Sequence, residues 1–416
     1  MTPTEKRNAL LCIVGEACWG LQSAFIVPMT MITLVLRHYG AGARTIGTMM
    51  AIESCFLVLP QIVGLLWFRT HGARKKPLII WHLLTVIPAI AMYGIVVLTL
   101  DGHASPATIR VLFLLSFAVL MTSIGVVLGA WMDWIARLFH KGIRGSIMGW
   151  VSFATSAASA LGGLLAGRIL QNFPGVQTYG WLFITASIIA ALAILLFGLI
   201  VDPPLNPAAR PPSLQDLLAR FRISLGNRNF RDFLAGRLLA AFGFSIGPFV
   251  AVHFQSAAHG GLPDGTLVLC GTAATCAAAL TNIILGRIGD KRGHRIGIVV
   301  GVVVQVLTLI FLLAGHGLPA CILAYLGLGI CGAAGTVSHT NMLFETCPHD
   351  HRLAHITAGN LVMALPLFIA PLLAGWFADR HGLRALFTAS LAVSLLAALW
   401  TILRIRDPRD VALTEA

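Results

Sequence analysis

Gly286-Arg287-Ile288-Gly289-Asp290-Lys291-Arg292-Gly293-His294-Arg295 joins two long apolar runs, at about 264–287 and 296–314. The order is Gly, three residues, Asp, a base, any residue, Gly, any residue, a base. Glycines let two helix ends approach and reverse. Asp290 can accept hydrogen bonds from a helix N-terminus and from a neighbouring base. Arg and Lys at such a position mark the cytoplasmic side of a membrane. The stretch therefore reads as a short charged hairpin between two spans.

Composition agrees. The chain has 416 residues, 57% hydrophobic and 11% charged, with mean hydropathy +0.85. Soluble domains carry about a quarter charged residues. A net charge of +13 suggests nucleic acid, but the bases lie in short loops between apolar runs, not on one face. They serve as topology signals and contacts to anionic lipid, and no nucleic-acid partner is expected. The 8 cysteines show neither metal-ligand nor disulfide spacing and read as small buried hydrophobes. The run after Lys6 and Arg7 outlasts a signal-peptide core and reads as an uncleaved first span.

Twelve runs are long enough to cross a bilayer: roughly 9–36, 45–68, 77–99, 108–136, 145–170, 179–201, 232–257, 264–287, 296–314, 317–345, 353–377 and 383–404. With both termini inside, 22 of the 29 basic residues fall on the cytoplasmic side, the bias that sets orientation. The connection 202–231 is rich in proline and ends in a helix-like stretch from Ser213, amphipathic through Leu214, Leu217, Leu218 and Phe221. It separates residues 1–201 from 232–416, two halves of six spans each. The halves echo one another. Gly15-Glu16 in span 1 answers Gly236-Arg237 in span 7, with Pro28 and Pro248 following at similar distance. A second copy of the charged hairpin falls near Gly72, but Arg69 stands where Asp290 would be.

The 286–295 pattern resembles the loop signature of the major facilitator superfamily of secondary transporters, and the twelve-run layout resembles its topology. The resemblance implies an all-α membrane fold of two pseudo-symmetric six-helix bundles. It implies that the acids and bases near the cytoplasmic ends form gates: Asp290, Arg292, Glu345 and Arg352 in the second half, Asp133 with Arg144 or Arg137 in the first. It also implies that span 1 lines a central cavity. The drug-antiporter signature of span 5 carries a Gly-Pro pair, which 145–170 lacks. That counts against multidrug export.

Ionisable groups inside a span cost several kcal/mol unless paired or hydrated. Glu16, Glu53, Arg237 and His339 lie deepest and are the candidates for substrate and proton coupling. Glu16, Trp19, Gly20 and Ser23 share one helix face, which reads as a cavity wall, with Gln22 beside it. Glu16 and Arg237 hold equivalent places in the two halves. His82 and His253 lie near span ends and read as wetted edge residues. No Gly-x-x-x-x-Gly-Lys-Ser/Thr loop and no nucleophile–base pair occurs, so neither nucleotide hydrolysis nor enzymatic chemistry is expected, and no cofactor. The expectation is a monomeric secondary transporter of a bacterial inner membrane, carrying a small polar, zwitterionic or anionic solute with protons. Efflux of amphipathic compounds, or a transporter-like sensor or lipid-handling protein, are the alternatives.

Overall fold

The computed structural model describes residues 1–61, 63–64, 67–68, 75–202, 226–346 and 352–408. Ten helical stretches among them are long and apolar enough to cross a membrane. One of the ten, Val362–Arg404, is divided at Gly382, whose φ of 84° ends one helix and starts another. A further helix, Ala43–Val58, occupies the second apolar run. The all-α, multi-span reading holds, and the helices are compatible with twelve spans. The chain divides into two compact units, Met1–Pro207 with Leu262–Thr272, and Ala208–Gly261 with Ala273–Ala416.

In the first unit α1 (Pro3–Phe25) opens on a capping box. Thr2 accepts from the Glu5 backbone N–H while the Glu5 carboxylate accepts from Thr2 N. The helix breaks before Pro28, which offers no N–H and would press on the carbonyl four residues back. A wide π turn, Pro28–Ile32, leads into α2 (Thr33–His38). Then come α3 (Ala43–Val58), α4 (Lys75–Trp81), a second wide turn at His82–Val86, and α5 (Ile87–Leu100). Pro88 explains that second turn in the same way. The unit continues with α6 (Pro106–Arg137), α7 (Lys141–Asn172) and α8 (Val176–Gly198). Helix α1 packs on α7 and α8, α5 on α8, and α3 on α6.

The second unit starts with α9 (Arg228–Phe244) and α10 (Gly247–Gln255), separated just ahead of Pro248. The Pro28 and Pro248 breaks repeat one another. Next come α11 (Asp264–Arg292), α12 (Arg295–Ala314), α13 (Gly317–Glu345) and α14 (Arg352–Arg404). The first turns of α11 count with the first unit, where Tyr179 Oη donates to Asp264 at 2.8 Å.

The charged hairpin is tighter than its composition suggests. Helix α11 runs on through Arg292, leaving only Gly293 and His294 before α12. Gly293 takes φ 88°, and a Cβ there would collide with the Asp407 carboxylate. Arg295 donates to the carbonyls of Ile402 and Ile405 at 2.8 and 2.7 Å, closing the end of α14.

An internal repeat joins the ends of each unit. Asn8 donates to Val201 O at 3.0 Å and accepts from Val201 N at 3.1 Å. Asn229 does the same with Arg406, at 3.1 and 2.9 Å. Asn229 lies as far beyond Asn8 as Arg237 lies beyond Glu16. In both units an Asp-Pro pair follows directly, Asp202-Pro203 and Asp407-Pro408. Asp202 accepts from the Trp134 indole at 2.8 Å and from Lys75 N at 3.3 Å, while Lys75 Nζ donates to Gly198 and Ile200 carbonyls. Arg69, the helix expected from Ser213 and most of the connection 202–231 lie outside the described residues.

Candidate substrate and coupling site

Helix α1 carries Gly15 and Glu16 side by side, and the glycine makes room for the acid's surroundings. A Cβ on Gly15 would stand 2.9 Å from the Phe197 ring, so that ring from α8 reaches α1 only because position 15 is bare. Glu16 then borders a partly open pocket of about 130 Å³ shared with Trp19 from α1, Trp131 and Met132 from α6, Phe197 from α8 and His82. The Glu16 carboxylate faces the indole of Trp131. Trp131 is the hub: its ring centroid lies 4.7 Å from Phe197, 4.9 Å from His82 and 5.1 Å from Trp134. Trp19 meets His82 edge-on at 5.9 Å.

His82 is only 5% exposed, not the wetted edge residue expected. It starts the wide turn ahead of Pro88, which carries its ring inward between the two tryptophans. Its Nδ1 lies 2.8 Å from Leu78 O. A carbonyl only accepts, so Nδ1 carries a proton, and in the neutral ring Nε2 is the nitrogen left to accept one. The pocket thus holds one acid, one base and three large aromatic rings in an otherwise apolar wall. A carboxylate so placed is held either by a proton or by a cation.

The α1 face read as a cavity wall is split by the structure. Glu16 and Trp19 line the pocket. Gly20 instead packs on α7, where a Cβ would collide with Thr155 O, and Ser23 Oγ donates to Trp19 O at 2.7 Å. Gln22 is buried, donating to Ser23 Oγ at 3.2 Å, with its Oε1 unbonded among the described residues. Glu53 lies on α3, half-buried.

In the second unit Arg237 extends toward α13, its Nη2 3.4 Å from Gly335 O and its Nε without a hydrogen-bond partner among the described residues. Gly335 admits it, since a Cβ there would stand 3.2 Å from the guanidinium. His339 stacks on Phe233 with centroids 5.3 Å apart.

Of the residues expected to form gates, Asp133 pairs with Arg137 at 3.2 Å, and Arg144 donates to Phe139 O. Asp290 lies 3.8 Å from the His294 ring, and Arg292 is exposed on the last turn of α11. Glu345 ends α13 half-buried. The Arg352 side chain is outside the described residues, so the cluster expected around it stays a proposal. At the opposite end of the second unit, His253 is buried against the rings of His259 and Phe387, at 3.9 and 5.2 Å.

Two helical bundles with half-buried charges inside their spans define a polytopic membrane transporter. The chain belongs to the major facilitator superfamily, whose family model matches residues 14–271 and 245–415. Over 408 residues it is 23% identical to a Pseudomonas aeruginosa protein named transcription regulatory protein OpdE, covering 95% of this chain and 93% of that one. Similar solved structures include a point mutant of the nucleoside transporter NupG, with a TM-score of 0.75 at 11% identity, covering 97% of this chain and 100% of that one. A bacterial homolog of the human lysosomal transporter Spinster, inward-facing and occupied, gives 0.70 at 12% identity over 98% of both chains. A D-xylose–proton symporter gives 0.68 at 15%, covering 97% and 99%. At such identities these likenesses speak for the fold.

Proposed function

We propose that the protein is a proton-coupled secondary transporter that moves a small polar solute across a bacterial inner membrane by alternating access, with Glu16 carrying the coupling proton. The observation behind this is the acid in its aromatic pocket. A bare carboxylate costs more in a dry apolar wall than in water. A change of access that wets or dries the pocket therefore changes how tightly Glu16 holds a proton. That differential is what links a proton to a conformational equilibrium. Arg237 supplies a half-buried positive charge in the second bundle, of the sign an anionic group on a zwitterionic solute would select. Asp133 with Arg137 serves as a charge pair at the end of its helix.

The test is Glu16→Gln in proteoliposomes. Gln keeps the shape and cannot release a proton. Proton-driven accumulation should disappear at any solute concentration, while exchange of solute down its own gradient persists once the solute concentration is raised to offset weaker binding. Normal accumulation by the variant would remove Glu16 from the coupling step and pass it to Glu53 or His339.

A second reading has two features in its favour: the regulatory name of the Pseudomonas aeruginosa relative, and Arg69 where the loop acid would stand. A transporter-like sensor would bind its solute without turning it over, and an Arg at position 69 in place of the loop acid suits a carrier that no longer cycles. Counterflow separates the two, since only a carrier shows transient uptake against trapped unlabelled solute.

A further inference from the structure

The Glu16 pocket has a composition that the proton alone does not require. Trp19, Trp131, Phe197 and His82 converge on it, with centroid separations of 4.7 to 5.9 Å between neighbouring rings. A buried proton site needs an acid and shelter, and aliphatic side chains give shelter as well as indoles do. Three large aromatic rings beside one carboxylate add something else: they line the same pocket as a negative charge, and an aromatic ring, unlike an aliphatic side chain, can also attract a cation. Such a wall attracts a diffuse, weakly hydrated cation. A strongly hydrated ion such as Na⁺ would have to give up its water for rings that cannot replace it, whereas an alkylated ammonium has little water to lose.

Size agrees. A pocket of this kind needs about 10–15 Å³ to hold one water, and this one measures about 130 Å³, room for a methylated nitrogen rather than a single solvent molecule. The backbone has been shaped for it: bare Gly15 admits the Phe197 ring beside Glu16, and the turn before Pro88 swings His82 in. The His82 Nδ1–H is committed to Leu78 O, so in its neutral form His82 brings no positive charge to compete with a bound cation.

From this geometry we infer that the pocket is a binding site for an alkylated ammonium group, carried on the transported solute or on a ligand that regulates the protein. The carboxylate of Glu16 neutralises the nitrogen while Trp19, Trp131 and Phe197 enclose its methyl groups. The inference deepens the transport reading by naming a substrate class, but the site stands whether or not the protein turns over.

Purified full-length protein in detergent tests it, with no gradient and no transport. The probes are choline and its uncharged carbon isostere, 3,3-dimethyl-1-butanol, followed by tryptophan fluorescence and melting temperature. Choline should quench saturably and raise the melting temperature, and the isostere should bind about tenfold or more weakly. Glu16→Gln and Trp131→Leu should each lose choline binding by a similar factor. Trp131→Phe, which keeps a ring, should retain part of it and guards against a folding artefact. No saturable choline binding by the unaltered protein, equal binding of the isostere, or undiminished binding by Glu16→Gln would overturn the site. Binding without counterflow would instead overturn the transport reading and leave the site intact.

Discussion

Gly20 shows how one missing methyl decides what a helix face does. A Cβ there would collide with Thr155 O, so α1 and α7 meet backbone to backbone, as small residues permit in membranes. Gly20→Ala should therefore push the helices apart, at the 1–3 kcal/mol typical of overpacking, and lower the melting temperature in detergent. Gly129, in α6, has nothing within 4 Å of an added Cβ, and Gly129→Ala should leave stability unchanged or raise it by up to about 1 kcal/mol through helix propensity. Equal effects of the two substitutions would mean that the close crossing is not what Gly20 provides. At this scale the site was half legible. Glu16 and Trp19 stand out because an acid in an apolar run needs an explanation. Trp131 and Phe197 do not, since aromatics in apolar runs are ordinary and only packing brings them to α1. His82 was misread because position along a span says nothing of where a wide turn directs a ring.

The ends of the helices carry the plainest repeat in the molecule. Asn8 and Asn229 each make two hydrogen bonds to one backbone unit directly ahead of an Asp-Pro pair, so the first helix of each bundle is tied to the end of its last. An asparagine offers both a donor and an acceptor, which a peptide group needs once its helix has stopped. Asn8→Leu and Asn229→Leu should each cost about 1–3 kcal/mol by stranding those groups. The two lie in separate compact units, so the double variant should lose the sum, as read by thermal unfolding. A double variant no worse than either single one would show that the clamps act on one shared step. In the sequence Pro28 and Pro248 serve only as an echo between the halves, within the runs 9–36 and 232–257, and the breaks they cause come from the ring's local geometry. The clamps were invisible in the sequence, for Asn8 and Val201 are 193 positions apart.

For the molecule as a whole, the apolar runs were readable because bilayer thickness fixes the length of a span, and the loop at 286–295 because charges between spans are few. Orientation rests on a different argument, the asymmetry of Lys and Arg. On the chosen side lie Lys6 and Arg7, the Arg74-Lys75-Lys76 group, the hairpin bases from Arg287 to Arg295 and the bases between α8 and α9. The opposite side holds Arg37, Arg44, Arg110, Arg168, Arg380 and Arg384. A short loop carrying several bases resists translocation, so this arrangement favours cytoplasmic termini. The connection between α10 and α11 is then outside. It is built to be short: a single 3₁₀ turn at Ala257–His259, followed by Gly260 and Gly261 at φ 134° and 56°. It contains no Lys or Arg, as an outer loop should. A reporter active only outside the cytoplasm should work when fused after Gly260 and stay silent after Pro212. The reverse pattern would invert the whole layout. Activity at both points would instead mean that the number of spans between them is even, and that α9 and α10 do not together make one crossing.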